Sequence, residues 1–364
     1  MTKITKLTQL EVGLYQDAKS NNMTFSQLMN DLLRKGDIDE SLARPGVTNS
    51  HGQSVDAYQQ LLAAANIRTK GDFANTGGAF LDDPNNRVLF PEYVARTYRD
   101  AERDAVNVLQ IGDLVSTRVG IDGTAYRTGI INSGQEKDLE FGRVAQLGEM
   151  AVYSIVLADK AVNALKYGGV LRMSYEAVRR AKLPILNRYL AKIARAQGRR
   201  KVKQGLNVAL NGDGNANPAP ASTAVAGAVF TFADIIALQM DGLKNGVQFT
   251  GITGDSTTLA ELLALDVFTA PGATARGADF RDNGNWPSIL GMTPKMAVSD
   301  SALEGSKKLM AFDTANGLEE FYENGSEIVE SERLITSQFE NVAISEVVGW
   351  AKPDVQAFRT KQHA

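Results

Sequence analysis

Cysteine is absent from the 364-residue chain, and histidine occurs only twice, at His51 and His363. Without thiols there is no disulfide framework, no thiolate nucleophile and no cysteine-bound metal. One histidine falls in a polar turn and the other at the penultimate position, so a histidine-based metal site or catalytic triad is not expected, nor is any cofactor. No run approaches the roughly 18–20 apolar residues that a bilayer span needs. The opening Met1-Thr2-Lys3-Ile4-Thr5-Lys6 leads into mixed polar sequence without the apolar core of a signal peptide. The expectation is a protein neither exported by a signal peptide nor inserted in a membrane. Positive charge is not in excess either: 39 Lys and Arg against 42 Asp and Glu give a formal net charge of −3. The field of the whole chain therefore does not gather nucleic acid as a basic DNA-binding domain would. A phosphate cradle is missing as well, since Gly251-Ile252-Thr253-Gly254-Asp255 lacks the lysine and the spacing of a P-loop.

What is present is an ordinary globular composition, 43% apolar and 22% charged, which places the chain well away from disordered sequences. Its length exceeds the roughly 250–300 residues over which one core grows, so two or three subdomains are expected. Residues 1–88 read as a helical arm. Leu7, Leu10, Leu14 and Ala18 recur at helical spacing. A second helix opens at Thr24 with Gln27 in a capping-box pattern and stops at Arg34-Lys35-Gly36, and a third follows Ser54 through Tyr58, Leu61 and Leu62. Polar and Gly-rich joints at Pro45-Gly46, Asn49 to Gly52 and Gly71 to Asn86 suggest flexible connection, and hence an arm that needs a partner surface and orders on assembly.

From Phe90 to Asp104 the pattern is helical, and from Val108 to Leu157 it changes to strands and glycine-broken turns. The tip of this hairpin, Asn132 to Glu140, is polar throughout and carries Asn132, Glu136, Lys137 and Asp138, so it is expected to project and to touch a neighbouring molecule. Leu171 to Met173 reads as a short strand and Ser174-Tyr175-Glu176 as a helix start. Pro184 then opens the longest helix, to about Leu210, which Asn211-Gly212-Asp213-Gly214 ends. That oxygen-rich stop lacks the far glutamate of a calcium loop and reads as a helix terminus. Thr231 with Asp234 gives another capping box, and Ser326 to Val329 and Asn341 to Trp350 read as strands. The acidic cluster Glu319, Glu320, Glu323, Glu327, Glu330 and Glu332 is read as a solvated or intersubunit face. The rival reading is paired carboxylates of an uncharacterised enzyme, which Glu-to-Gln changes at Glu319 or Glu323 would expose.

The strongest charge feature is on the long helix. Between Arg179 and Lys203 lie ten Lys or Arg residues and no Asp or Glu. At 3.6 residues per turn Arg188, Lys192, Arg195, Arg199 and Lys203 form one stripe, while Leu186, Tyr189, Leu190 and Ile193 lie round from it. A one-signed stripe in an acidic protein implies an acidic neighbour or a polyanion, and a neighbouring protein is the preferred partner over DNA.

The order of these features resembles the major capsid proteins of tailed double-stranded-DNA phages, the Hong Kong phage capsid fold shared with encapsulins. The matching elements are Phe90-Pro91-Glu92-Tyr93-Val94, the polar hairpin, and Arg172-Met173-Ser174-Tyr175-Glu176-Ala177-Val178-Arg179-Arg180 before the long helix. The ending also matches: Leu309-Met310-Ala311-Phe312-Asp313, Gly349-Trp350-Ala351-Lys352-Pro353-Asp354 and Ala357-Phe358-Arg359. The resemblance implies an α+β fold. Its parts would be a peripheral domain (89–107 and 158–229, with a spine helix at 184–210), an extended loop (108–157), an axial domain (230–315) and strands returning to the peripheral domain (316–364). It also implies a structural protein that self-assembles into pentamers and hexamers of an icosahedral head. The partners would be copies of itself, a scaffolding segment or protein, a portal, a decoration protein and packaged double-stranded DNA bound without sequence specificity. Its place would be the virion, with host cytoplasm during assembly. An encapsulin-like shell around protein cargo is the alternative within the same resemblance.

Overall fold

The structure is a computed structural model. It describes residues 4–362 except 12, 22, 51, 72, 84, 102–106, 132–142, 144–154, 225, 226, 228, 266, 267, 269–285, 327, 335 and 337. The helices and strands are, in chain order, α1 (Gly13–Ser20), α2 (Phe25–Lys35), α3 (Ala57–Ala64), α4 (Gly78–Leu81), α5 (Leu89–Ala101), α6 (Ile111–Leu114), β1 (Val115–Ile121), β2 (Ala125–Tyr126), β3 (Gly129–Ile131), β4 (Ile155–Leu157), β5 (Val162–Asn163), β6 (Leu165–Ser174), α7 (Tyr175–Arg180) and α8 (Leu183–Asn211). They continue with α9 (Phe232–Lys244), β7 (Gly251–Gly254), α10 (Ser256–Leu263), β8 (Thr293–Met296), β9 (Lys308–Phe312), β10 (Leu318–Glu323), β11 (Ile328–Leu334), β12 (Phe339–Ala351) and β13 (Phe358–Gln362). The class is α+β. Local signals account for many of the ends. Thr24 Oγ1 accepts from the Gln27 N–H and Gln27 Oε1 from the Thr24 N–H, and Thr231 and Asp234 repeat the exchange at α9. Gly212 follows the last residue of α8 at φ 87°, a left-handed conformation that favours glycine.

Two compact units divide the chain. The first comprises residues 1–102, 166–196 and 323–347, and it holds a hydrophobic core. Phe25, Leu28, Met29 and Leu32 of α2 and Tyr58, Leu61 and Leu62 of α3 share that core with Phe90, Tyr93 and Val94 of α5 and Leu183, Leu186 and Leu190 of α8. The partner surface that the N-terminal helices need is thus supplied by their own chain. Aromatic contacts run through it: Tyr15 stacks on Phe25 at 4.5 Å, Phe25 meets Tyr58 edge-on at 6.4 Å, and Phe80 lies 5.1 Å from Tyr93. Polar atoms at the start of α5 are met from the N-terminal segment. The Tyr15 and Tyr58 hydroxyls donate to the carbonyls of Val88 and Leu89, each at 2.7 Å, and Ser26 Oγ donates to the buried Glu92 carboxylate at 2.5 Å. The helix expected over Leu7 to Ala18 is broken in two. A 3-10 turn at Leu7–Gln9 ends at an extended Leu10, buried like Ala18, before α1 begins. In the same unit β11 pairs antiparallel with β12 from Ile328↔Ser345 to Leu334↔Phe339. A Cβ on Gly168 of β6 would lie 2.7 Å from Ser345 Cβ, so the strands approach there as only glycine allows.

The second unit comprises residues 103–165, 197–322 and 348–364. A four-stranded sheet in the order β13-β9-β7-β8 is antiparallel except for the β7–β8 pair. α9 and α10 lay Ile235, Leu238, Leu259 and Leu262 over a core that includes Phe230, Phe249, Ile252, Leu309 and Ala311. Residues 230–315 all belong to this unit, with the loop strands and the second half of α8. A Cβ on Gly251 of β7 would meet the buried Phe312 ring at 2.2 Å. Gly251→Ala is therefore expected to destabilise the chain by ~1–3 kcal/mol through overpacking. A urea titration followed by the fluorescence of Trp286 and Trp350, both in this unit, checks it, and an unchanged midpoint would contradict the close approach.

Candidate functional site

The charged residues singled out in the sequence fall on α8, on β10 and β11, and in the hairpin between β3 and β4. α8 begins with Pro184 in its first turn, where the missing N–H costs nothing. Leu183, Leu186, Leu190 and Ala194 are buried, which fixes the first half of the helix within the first unit. Arg188, Lys192 and Arg195 of the predicted stripe are exposed, and none of the three has an ion pair among the described residues. The other two members differ. Arg199 is engaged within the chain, and Lys203, half-buried, pairs with the exposed Asp300 at 3.1 Å. Tyr189 and Ile193, expected on the apolar side with Leu186 and Leu190, are instead 64% and 47% exposed, and Ile185 joins them at 46%. The apolar arc of α8 is wider than the surface that covers it.

The base of the hairpin is described and its tip is not. Asn132, Glu136, Lys137 and Asp138 lie outside the described residues. β3 pairs with β4 through Gly129↔Leu157 and Ile131↔Ile155, and β2 pairs with β5. Side chains of β10 hold this base. Glu319 accepts from the Thr128 hydroxyl at 2.5 Å and the Tyr126 hydroxyl at 3.0 Å, while the Tyr126 ring stacks on Phe321 at 4.9 Å. Burial, with the Glu319 carboxylate beside it, pushes the Tyr126 hydroxyl up to about 12. Glu320 is buried, pairs with Arg118 of β1 at 2.9 Å and accepts from the Trp350 indole N–H at 3.3 Å. The expectation of a solvated acidic face is thus corrected for these two residues. They fasten the loop and β1 to β10, because adjacent strand positions bring Glu319 onto Thr128 and Tyr126 and Glu320 onto Arg118, all far upstream in sequence. Glu332 is exposed, and Glu327 lies outside the described residues.

A buried lysine at the end of α8 was not anticipated. Lys352 is 1% exposed, donates from Nζ to the Ala209 carbonyl at 2.9 Å and lies 5.2 Å from the Phe358 ring centroid. Its own backbone N–H and carbonyl are bound by Asp213 Oδ2 and Asn217 Nδ2, each at 3.0 Å. Asp213, read from sequence as part of a helix stop, therefore also joins the helix end to the last strands. Burial lowers the Lys352 amine to about 8, with Asp213 and Asp354 opposing that shift, and burial raises the Asp354 carboxyl. No sequence signal marks such a lysine, since its partners lie some 140 residues upstream.

Residues 158–359, which include α8, β12 and the first two residues of β13, match the model of a family described as phage capsid protein. The chain belongs to that family. Among curated protein sequences none matches it. Solved structures similar to this family member include a chain from Mycobacterium phage Che8, at 12% identity over 71% of this chain and 93% of that one with a TM-score of 0.45. A second, from Microbacterium phage Oxtober96, has 12% identity over 72% and 93% with a TM-score of 0.49. A third, from an encapsulin complex of Synechococcus elongatus, has 11% identity over 72% and 93% with a TM-score of 0.42. No helix of the described residues is long and apolar enough to cross a membrane.

Proposed function

We propose that this chain is the major shell subunit of a tailed-phage head, a structural protein that associates with copies of itself as pentamers and hexamers around packaged DNA. The carrying observation is the capsid-family match over residues 158–359. The surfaces agree with it: a shell subunit needs several faces that pair head-to-tail with its own copies, and a mildly acidic chain does not grip packaged DNA tightly. The predicted contacts are the hairpin tip, with Asn132, Glu136, Lys137 and Asp138, and the basic stripe of α8. Electron microscopy of particles formed by the expressed chain tests the proposal. Closed icosahedral shells that package DNA during infection are expected; shells that carry enzyme cargo instead would favour an encapsulin-like compartment.

A tip deletion separates assembly from folding. Glu319 and Phe321 hold the hairpin at its base, so removing 132–140 is expected to leave the circular dichroism of the subunit unchanged while particle yield falls at least tenfold. Wild-type yield from that deletion would remove the tip from the assembly contacts.

A further inference from the structure

We propose that the outward ridge on the first half of α8 docks against a second copy of this chain, seating an acidic and partly apolar surface of that copy on Ile185, Tyr189 and Ile193 with Arg188, Lys192 and Arg195 alongside. The inference rests on the shell reading and names the partner of its basic stripe. Three observations carry it. Ile185, Tyr189 and Ile193 succeed one another every four residues and are 46%, 64% and 47% exposed, so they form one continuous ridge on the helix surface. Exposed apolar side chains grouped in this way mark interaction sites, whereas scattered ones do not. Beside that ridge run Arg188, Lys192 and Arg195, exposed and without an ion pair among the described residues. Finally, the opposite side of the helix is fixed by buried Leu183, Leu186, Leu190 and Ala194, so the ridge is presented in a set geometry with little left to order on binding.

Charge indicates what sits there. The chain has 39 basic and 42 acidic residues, of which ten basic and no acidic ones lie between Arg179 and Lys203. The rest of the molecule then holds 29 basic against 42 acidic residues, a balance of −13. Any other face of a second copy is on average complementary to this one. DNA also offers negative charge, but its phosphates would pair with the three cations and leave two isoleucines in water. A protein surface covers both kinds of side chain, and Tyr and Arg are the residue types that dominate the buried centres of such interfaces.

The absence of cysteine from the wild-type chain makes a single thiol a clean probe. In full-length chain assembled without phage DNA and treated with nuclease, Tyr189→Cys is expected to react with a maleimide at least tenfold more slowly in empty shells than in free subunits. Combined Ile185→Ser, Tyr189→Ser and Ile193→Ser changes are expected to leave the free subunit's circular dichroism unaltered and cut empty-shell yield at least tenfold. Arg188→Gln, Lys192→Gln and Arg195→Gln together should do the same. Equal thiol reactivity in shells and subunits overturns the proposal, whatever the serine variant does. So does a glutamine variant that forms empty shells normally and loses only DNA retention, since the ridge would then face the genome. A wild-type chain that forms no shells at all would sink the shell reading itself, an outcome distinct from either of these.

Discussion

A chain begun at residue 89 is expected not to fold its first unit, and to be recovered as an aggregating or partly unfolded protein. Sixteen of the 25 buried residues described in that core come from residues 4–88, so the truncation leaves nine without a counterpart. Losing one large aromatic from a packed core costs ~3–5 kcal/mol, and whole-domain stability is only ~5–15 kcal/mol, so Phe25→Ala alone should be marginal and the truncation far beyond rescue. The loss is polar as well as apolar. Glu92 is 2% exposed and keeps its carboxylate through Ser26 and, at 3.7 Å, Arg99. Without Ser26 a buried charge loses a hydroxyl donor, and the Val88 and Leu89 carbonyls lose the tyrosine hydroxyls that bind them. Hydrogen exchange on the full-length subunit should show α2 and α3 protected as strongly as α5. A soluble truncated chain with α5 still protected would mean that the N-terminal helices are an appendage after all.

That prediction reverses what the N-terminal sequence suggested, and the reason is physical. Capping at Thr24 and Gln27, the Gly36 stop at φ 77° and the Pro184 start are local, a few residues reading each other, and they are visible without a structure. The destination of an amphipathic face is not local. Phe25 and Leu28 announce that something must cover them, but Phe90, Leu186 and Leu190 are set apart by sixty or more residues and carry no mark of being the cover. Polar, glycine-bearing joints then looked like flexibility, although Gly77 N–H and Asn75 carbonyl are bonded to Ala181 and Leu183. The stripe on α8 was legible for the same reason that the caps were, since helical period fixes which side chains share a side. Period does not say how much of a wide apolar arc finds a partner, and so Tyr189 and Ile193 were grouped with Leu186 and Leu190. Strand pairs are the hardest case. Glu319 and Glu320 look solvated until β1, Tyr126 and Thr128 are placed beside them.

Raising the pH from 7 to 9.5 is expected to stabilise the second unit, and Lys352→Met to abolish that gain. The Lys352 amine is held at about 8 in the folded chain, against 10.5 for an ordinary lysine. Above the folded value the folded chain has released this proton and the unfolded chain still holds it. The unfolded state then binds more protons, and stability rises with pH through the window between the two values. Below the window the whole penalty of about 3 kcal/mol is present, and roughly 2 kcal/mol of it is relieved by pH 9.5. Stopping at that pH keeps clear of Tyr15, Tyr58 and Tyr93, whose buried hydroxyls all titrate above the ordinary tyrosine value. Near pH 7 two effects of Lys352→Met oppose each other. The apolar side chain removes the burial penalty and can still lie against Phe358, but the Ala209 carbonyl, in the last turn of α8, loses the Nζ–H that satisfies it. A carbonyl left bare in that way costs ~1–3 kcal/mol, so the variant should differ little from wild type at neutral pH and the decisive reading is the slope. Urea unfolding of the free subunit, followed by Trp350 in the strand that leads into Lys352, should give a midpoint that climbs from pH 7 to 9.5 in the wild type and stays flat in the variant. Parallel slopes in the two proteins would mean that Lys352 keeps an ordinary proton affinity in the folded chain, held there by Asp213 and Asp354 against the cost of its burial.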